Sequence, residues 1–158
     1  MTQNRRIKKV RYDGAKVVIH YEVERNDDAI DEYTLSCVDA PTQAFRDAIA
    51  ALGNLIANWT DVPASWAEGC EIRGAFFSHK RGIFGGGFTA LKPLCNCNSP
   101  LVLNMPHKPS EPYSDGGDES VCLTSIESEL LCAVCAQAEL YLDGERAQMA
   151  LALALDGE

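Results

Sequence analysis

From Lys16 to Glu24, Val17, Ile19, Tyr21 and Val23 alternate with Val18, His20, Glu22 and Glu24, the period of two that gives a strand one buried and one solvated face. Residues 7–12 read as its partner strand. Asp13-Gly14 between them suits a type I′ hairpin turn, in which both central residues take positive φ. His20 falls on the polar face. A polar loop, residues 25–31, leads to a third strand over 32–38, where Tyr33, Leu35 and Cys37 share a face.

The period then changes. After Asp39 and Pro41, Phe45, Ala48, Ile49, Leu52, Leu55, Ile56 and Trp59 recur at spacings of three and four, which predicts a helix with one apolar face. Gly53 inside it costs about 1 kcal/mol relative to alanine, tolerable in a well-packed helix. A loop through Pro63, Trp66 and Gly69 precedes strands predicted at 71–78, 87–92 and 101–105, and a Pro- and Gly-rich stretch follows at 106–117. A second helix is read from Leu123 to Leu142. Ile126, Leu130, Ala133, Val134 and Tyr141 form one stripe and Leu131, Cys135, Ala138 and Leu142 its neighbour, so its apolar arc is wide enough to meet either the core or a second copy of the chain. A homodimer is therefore expected. Beyond Asp143-Gly144, residues 145–155 are read as a short terminal helix because alanine favours helix over strand, although Met149, Leu151, Leu153 and Leu155 also alternate.

These elements predict one α+β domain over residues 1–158, with a first βββα half at 1–59, a second at 70–142 and an extension at 143–158. Short connections favour an antiparallel sheet of about six strands with both helices on one face. At 158 residues, with 46% hydrophobic and 23% charged, the chain is sized for a single core. No signal-like apolar stretch follows the polar N-terminus and no run approaches the roughly 18 residues that cross a bilayer, so a cytoplasmic, non-membrane protein is expected.

The net charge of −9 is unevenly spread. Arg5, Arg6, Lys8, Lys9, Arg11 and Lys16 face only Asp13 in residues 1–16, whereas from Ser110 onward Arg146 stands alone against eleven acids. Such polarity guides docking between regions or partners, but the overall acidity disfavours a salt-driven grip on nucleic acid. Seven cysteines without a secretion signal argue for reduced thiols. Cys95-x-Cys97 and Cys132-x-x-Cys135, with His107 in reserve, raise a zinc site; the first spacing is tight for zinc and the second lies in a predicted helix, so no metal or cofactor is expected. On the helix Cys135 joins the apolar stripe, leaving Cys132 the more exposed thiol.

The densest chemistry lies between two predicted strands, in Ser78-His79-Lys80-Arg81-Gly82-Ile83-Phe84-Gly85-Gly86-Gly87-Phe88. Successive glycines mark either a bulged hairpin or a place where a ligand approaches the backbone. The ligand reading uses Gly85, Gly86 and Gly87 as an anion-binding backbone, His79, Lys80 and Arg81 for charge, and Phe84 and Phe88 to stack on a base, with His107 and Tyr113 as a second contributing segment.

Gly87-Phe88-Thr89-Ala90-Leu91-Lys92, Ser99 through His107, Glu111 through Asp118, Tyr141 through Gln148 and Ile7-Lys8-Lys9-Val10 together resemble a family of small proteins encoded by bacteriophages and prophages. The resemblance spans most of the chain up to Gln148. It implies a viral protein in the host cytoplasm and supplies no catalytic residues.

Three function classes follow. The first is a non-catalytic accessory binding protein that antagonises host defence by sequestering a small anionic, nucleotide-like ligand or a host protein. The second is an accessory factor for single-stranded nucleic acid, stacking bases on Tyr12, Tyr21, Phe84 and Phe88 along the basic first strand. The third is a small enzyme, with His79 or His107 as base, Asp115 and Asp118 as metal carboxylates, and Ser114 or Cys132 as nucleophile. None of these carries a recognised catalytic spacing, and the first reading is preferred.

Overall fold

The structure is a computed structural model that describes residues 5–147; the terminal helix expected at 145–155 lies outside it from Gln148 onward. An open antiparallel sheet is assembled from β1 (Arg5–Tyr12), β2 (Val17–Glu24), β3 (Ile30–Cys37), β4 (Glu71–Ser78), β5 (Gly85–Lys92) and β6 (Leu101–Asn104), in the order β3-β2-β1-β4-β5-β6. A two-residue strand, β7 (Lys108–Pro109), also pairs with β5. The fold is the expected α+β arrangement. The two βββα halves share one sheet because β1 pairs with β4, through Lys9 to Arg11 against Phe76 to Gly74.

Alternation fixes which face is buried. Val10, Val17, Ile19, Ala75, Phe77, Phe88 and Ala90 lie on one side and are buried under the helices. The first helical run consists of α1 (Gln43–Ala51), a 3-10 turn at Leu52–Leu55 and α2 (Ile56–Trp59), with Phe45, Ile49, Leu52, Leu55 and Ile56 all buried. A short helix, α3 (Ala64–Ala67), occupies the loop to β4. The last described helix, α4 (Ser125–Leu142), opens with a capping box: the Glu127 amide donates to Thr124 Oγ1 at 3.1 Å, and the Thr124 amide donates to Glu127 Oε1 at 2.9 Å. The wide apolar arc of α4 is satisfied within the chain, with Leu131, Val134, Ala138 and Tyr141 buried against the sheet and α1. Ile126 and Cys132 remain exposed.

Several local expectations need correction. Only Gly14 takes positive φ in the first hairpin, at 92°; the loop runs from Asp13 to Lys16, with the Asp13 carboxylate accepting from the Ala15 and Lys16 amides at 2.9 Å each. That Asx-type bonding replaces the type I′ turn. β5 begins at Gly85, two residues before its expected start, and β7 lies within a stretch read as loop. Bulges at Lys8 and Arg73 shift the registers of β1 and β4.

The opposed charges of the two chain ends meet inside the molecule. The Arg5 guanidinium donates to Glu139 Oε2 at 2.5 Å and to Asp143 Oδ1 at 2.6 Å, pinning the end of α4 to the start of β1.

Candidate functional site

The hairpin between β4 and β5 is built differently from the loop expected there. Gly82 and Ile83 donate to the His79 and Lys80 carbonyls at 3.0 Å each, closing a tight 3-10 turn in which Arg81 takes the left-handed conformation at φ 56°. Lys80 Nζ lies 5.2 Å from the centre of the Tyr113 ring, and Ser78 Oγ is hydrogen-bonded to His107 Nε2 at 2.5 Å. The structure therefore brings Lys80, His107 and Tyr113 together around the end of β4. His79 turns away from them, packing on Phe84 at 5.7 Å and bordering a groove with Arg5, Ile7 and Glu139.

The glycines and Phe88 play another part. Gly85 pairs with Ser78 and Pro109, Gly86 with Phe77 and Lys108, and Gly87 with Phe76, so these residues are sheet interior and no anion-binding loop. A Cβ on Gly85 would fall 2.7 Å from His107 Nε2, and one on Gly87 would fall 2.6 Å from Phe76 Cζ and 2.8 Å from the Pro106 carbonyl oxygen. The triplet is a packing device that lets side chains and backbone close over β5. Phe88 is fully buried, tilted against Trp59 at 5.3 Å, and so presents no face to a base, whereas the partly buried Phe84 stacks on Phe77 and lines the groove beside His79, away from Lys80 and Tyr113. Tyr12 lies edge-on to Phe45 and Tyr21 stacks on Tyr33, which leaves the aromatic track of the single-strand reading unassembled.

Among the described residues no helix covers the other face of the sheet, and here residues from four strands converge. Lys9 and Arg11 of β1, Arg73 and Phe76 of β4, Thr89 of β5 and Asn104 of β6 line a shallow cavity of about 450 Å³. Gly74 lines its floor, where the absent side chain lets β1 backbone pack close, and the Phe76 ring lies over Gly87, which has no side chain to block it. Arg73 is paired with Glu71 at 3.2 Å, whereas Lys9 and Arg11 have no carboxylate partner among the described residues. Two cations without a salt-bridge partner among the described residues thus stand beside a partly exposed aromatic ring, with the Asp13 carboxylate at the margin of the same cavity.

Ser78 lies one step beyond Phe76 on this same face, about 7 Å along the strand, so the Ser78–His107 pair closes one end of the lane. Burial, aided by Lys80, holds the His107 imidazole below its ordinary pKa, leaving it neutral at pH 7. A neutral imidazole on a hydroxyl is the start of a nucleophile and base pair, but the charged group bearing on the ring is Lys80, and among the described residues no carboxylate orients it. The pair offers a ligand hydrogen bonds.

No family model, curated protein or solved structure matches the chain.

Elsewhere the proposed catalytic groups are dispersed. Asp118 accepts from the Ser120 amide at 2.9 Å as a cap of the 3-10 turn at Glu119–Val121. Cys95 and Cys97 are exposed, Cys132 is exposed on α4, and burial pushes the Cys135 thiol up to about 12, far from a reactive thiolate. Among the described residues no three His, Cys, Asp or Glu side chains gather as metal ligands.

The residues missed from the sequence are those of the bare face. Lys9 and Arg11 were visible as charge, but their meeting with Phe76 depends on β1 lying beside β4, which no local pattern encodes.

Proposed function

We propose that this chain is a non-catalytic accessory binding protein that captures a small anionic ligand bearing a flat ring, a nucleotide-like molecule, on the bare face of its sheet. The single observation that carries this reading is the placement of Lys9 and Arg11, without a salt-bridge partner among the described residues, beside the partly exposed ring of Phe76, in a cavity where three cations outnumber the one carboxylate of Asp13. Phosphate groups are held by Lys9 and Arg11 with Arg73 alongside, the ring stacks on Phe76, and Thr89, Asn104 and the Ser78–His107 pair supply hydrogen bonds to polar edges. A sheet face presents its side chains from rigid strands, so little ordering entropy opposes binding.

The resemblance to phage-encoded proteins fits a role inside an infected cell, where removing a nucleotide signal or occupying a host protein blunts defence. The overall acidity keeps nucleic acid from adhering at large while the local basic lane attracts a compact anion.

The test is a titration of fluorescently labelled ATP and of a labelled oligo(dT) strand at two salt concentrations. Saturable ATP binding that tightens no further for the strand supports the reading. A strand that binds at least about tenfold more tightly, with affinity falling steeply in salt, replaces it with single-stranded nucleic acid binding.

A further inference from the structure

We infer that β3 is a dimerisation edge, pairing antiparallel with β3 of a second copy about a two-fold axis at Thr34. This inference is independent of the ligand reading and concerns the opposite margin of the sheet from β5 and β6.

β3 is an outer strand, and its ladder with β2 runs unbroken from Val17↔Cys37 to Glu24↔Ile30 with no bulge. It carries no proline, lysine or bulge to keep the edge from pairing, and its two charges, Asp31 and Glu32, are confined to one end of the strand. At either end an exposed aliphatic side chain projects: Ile30 is 56% exposed and Val38 76%.

Self-pairing selects one register. With Thr34 opposite Thr34, Ile30 meets Val38, Tyr33 meets Leu35, Glu32 meets Ser36 and Asp31 meets Cys37. Ile30 with Val38 and Tyr33 with Leu35 then pair apolar side chains, and no carboxylate faces another. Shifting the axis to Tyr33 sets Asp31 against Leu35, and shifting it to Leu35 sets Asp31 against Asp39. A slip by one residue would turn every side chain to the wrong face. The edge is thus complementary to itself, the condition for a two-fold interface. Tyr33, 47% exposed and already stacked on Tyr21 at 5.4 Å, gains cover from the partner's Leu35. A pairing confined to residues 30–38 buries less than the roughly 1,000 Å² of a tight complex, so the dimer is weak and depends on concentration.

The test exploits the axis. Thr34 is exposed, and its side chain bonds only His20 Nδ1, at 2.9 Å, so the fold tolerates a charge there. Thr34→Lys and Thr34→Glu each put like charges directly opposite, and each is expected to weaken self-association of the full chain by about tenfold or more in sedimentation velocity. An equimolar mixture of the two restores a dimer, which only a Thr34-centred register predicts. A wild-type chain that stays monomeric at about 100 μM, or a dimer indifferent to both substitutions, overturns the inference.

Discussion

The indole of Trp59 donates its Nε1–H to the Glu127 carboxylate, tying the end of the first helical run to the start of α4. Lys108 Nζ lies 4.7 Å above the same indole, so β7, α2 and α4 meet at one side chain. Glu127 is only 7% exposed and spends its other oxygen on the Thr124 amide. It serves as cap and clamp together.

Glu127→Gln is therefore expected to lower stability at pH 7 by about 1–3 kcal/mol, read by urea unfolding. The substitution also changes the acid limb. Burial pushes this carboxyl up, but the Thr124 amide, Trp59 and Lys108 outweigh it and hold it below its ordinary value of 4.5. A carboxyl depressed in the folded state contributes stability that is complete above the unfolded value and is lost as pH falls through the folded one. Wild type should lose stability below about pH 4.5 more steeply than Glu127→Gln, and equal slopes would remove Glu127 from the account.

Three glycines give opposite expectations. A methyl group on Gly74 collides with the Val10 carbonyl oxygen across the β1–β4 junction, and one on Gly87 meets the Phe76 ring. Both alanine variants should lose about 3 kcal/mol or more, with Gly74→Ala the worse because its nearest obstacle is backbone, whereas at Gly87 the nearest is the Phe76 ring and the Pro106 carbonyl oxygen lies at 2.8 Å. On Gly53 the same methyl finds only Ile72 Cγ1, at 3.8 Å, so Gly53→Ala should gain about 0.4–1 kcal/mol. Thermal unfolding of the three variants checks the order.

Where the signal was local, the sequence sufficed. The strict alternation of β2 named its buried side chains Val17 and Ile19, and the three-four spacing from Phe45 named the packed face of the first helical run. On α4, helical position alone separated the exposed Cys132 from the half-buried Cys135. β7 was illegible because two residues carry no period; Lys108 and Pro109 become strand only by lying against Gly86 and Gly85. The glycine triplet was visible but ambiguous, since a ligand cradle and a close-packed strand both need the same missing side chain. Ser78 and His107 are 29 residues apart, and their contact is made by sheet order. The lane of Lys9, Arg11 and Phe76 likewise follows from the β1–β4 junction that joins the two halves.

If the uncovered sheet face is the binding surface, the anisotropy of fluorescently labelled ATP separates wild type from Lys9→Ala/Arg11→Ala. Both side chains are exposed, so the double variant should keep its fold while its affinity falls about tenfold or more. Lys80→Ala/Arg81→Ala at the hairpin tip should bind nearly as well as wild type. Undiminished binding by the Lys9 and Arg11 variant, or a loss confined to the hairpin variant, would contradict the assignment.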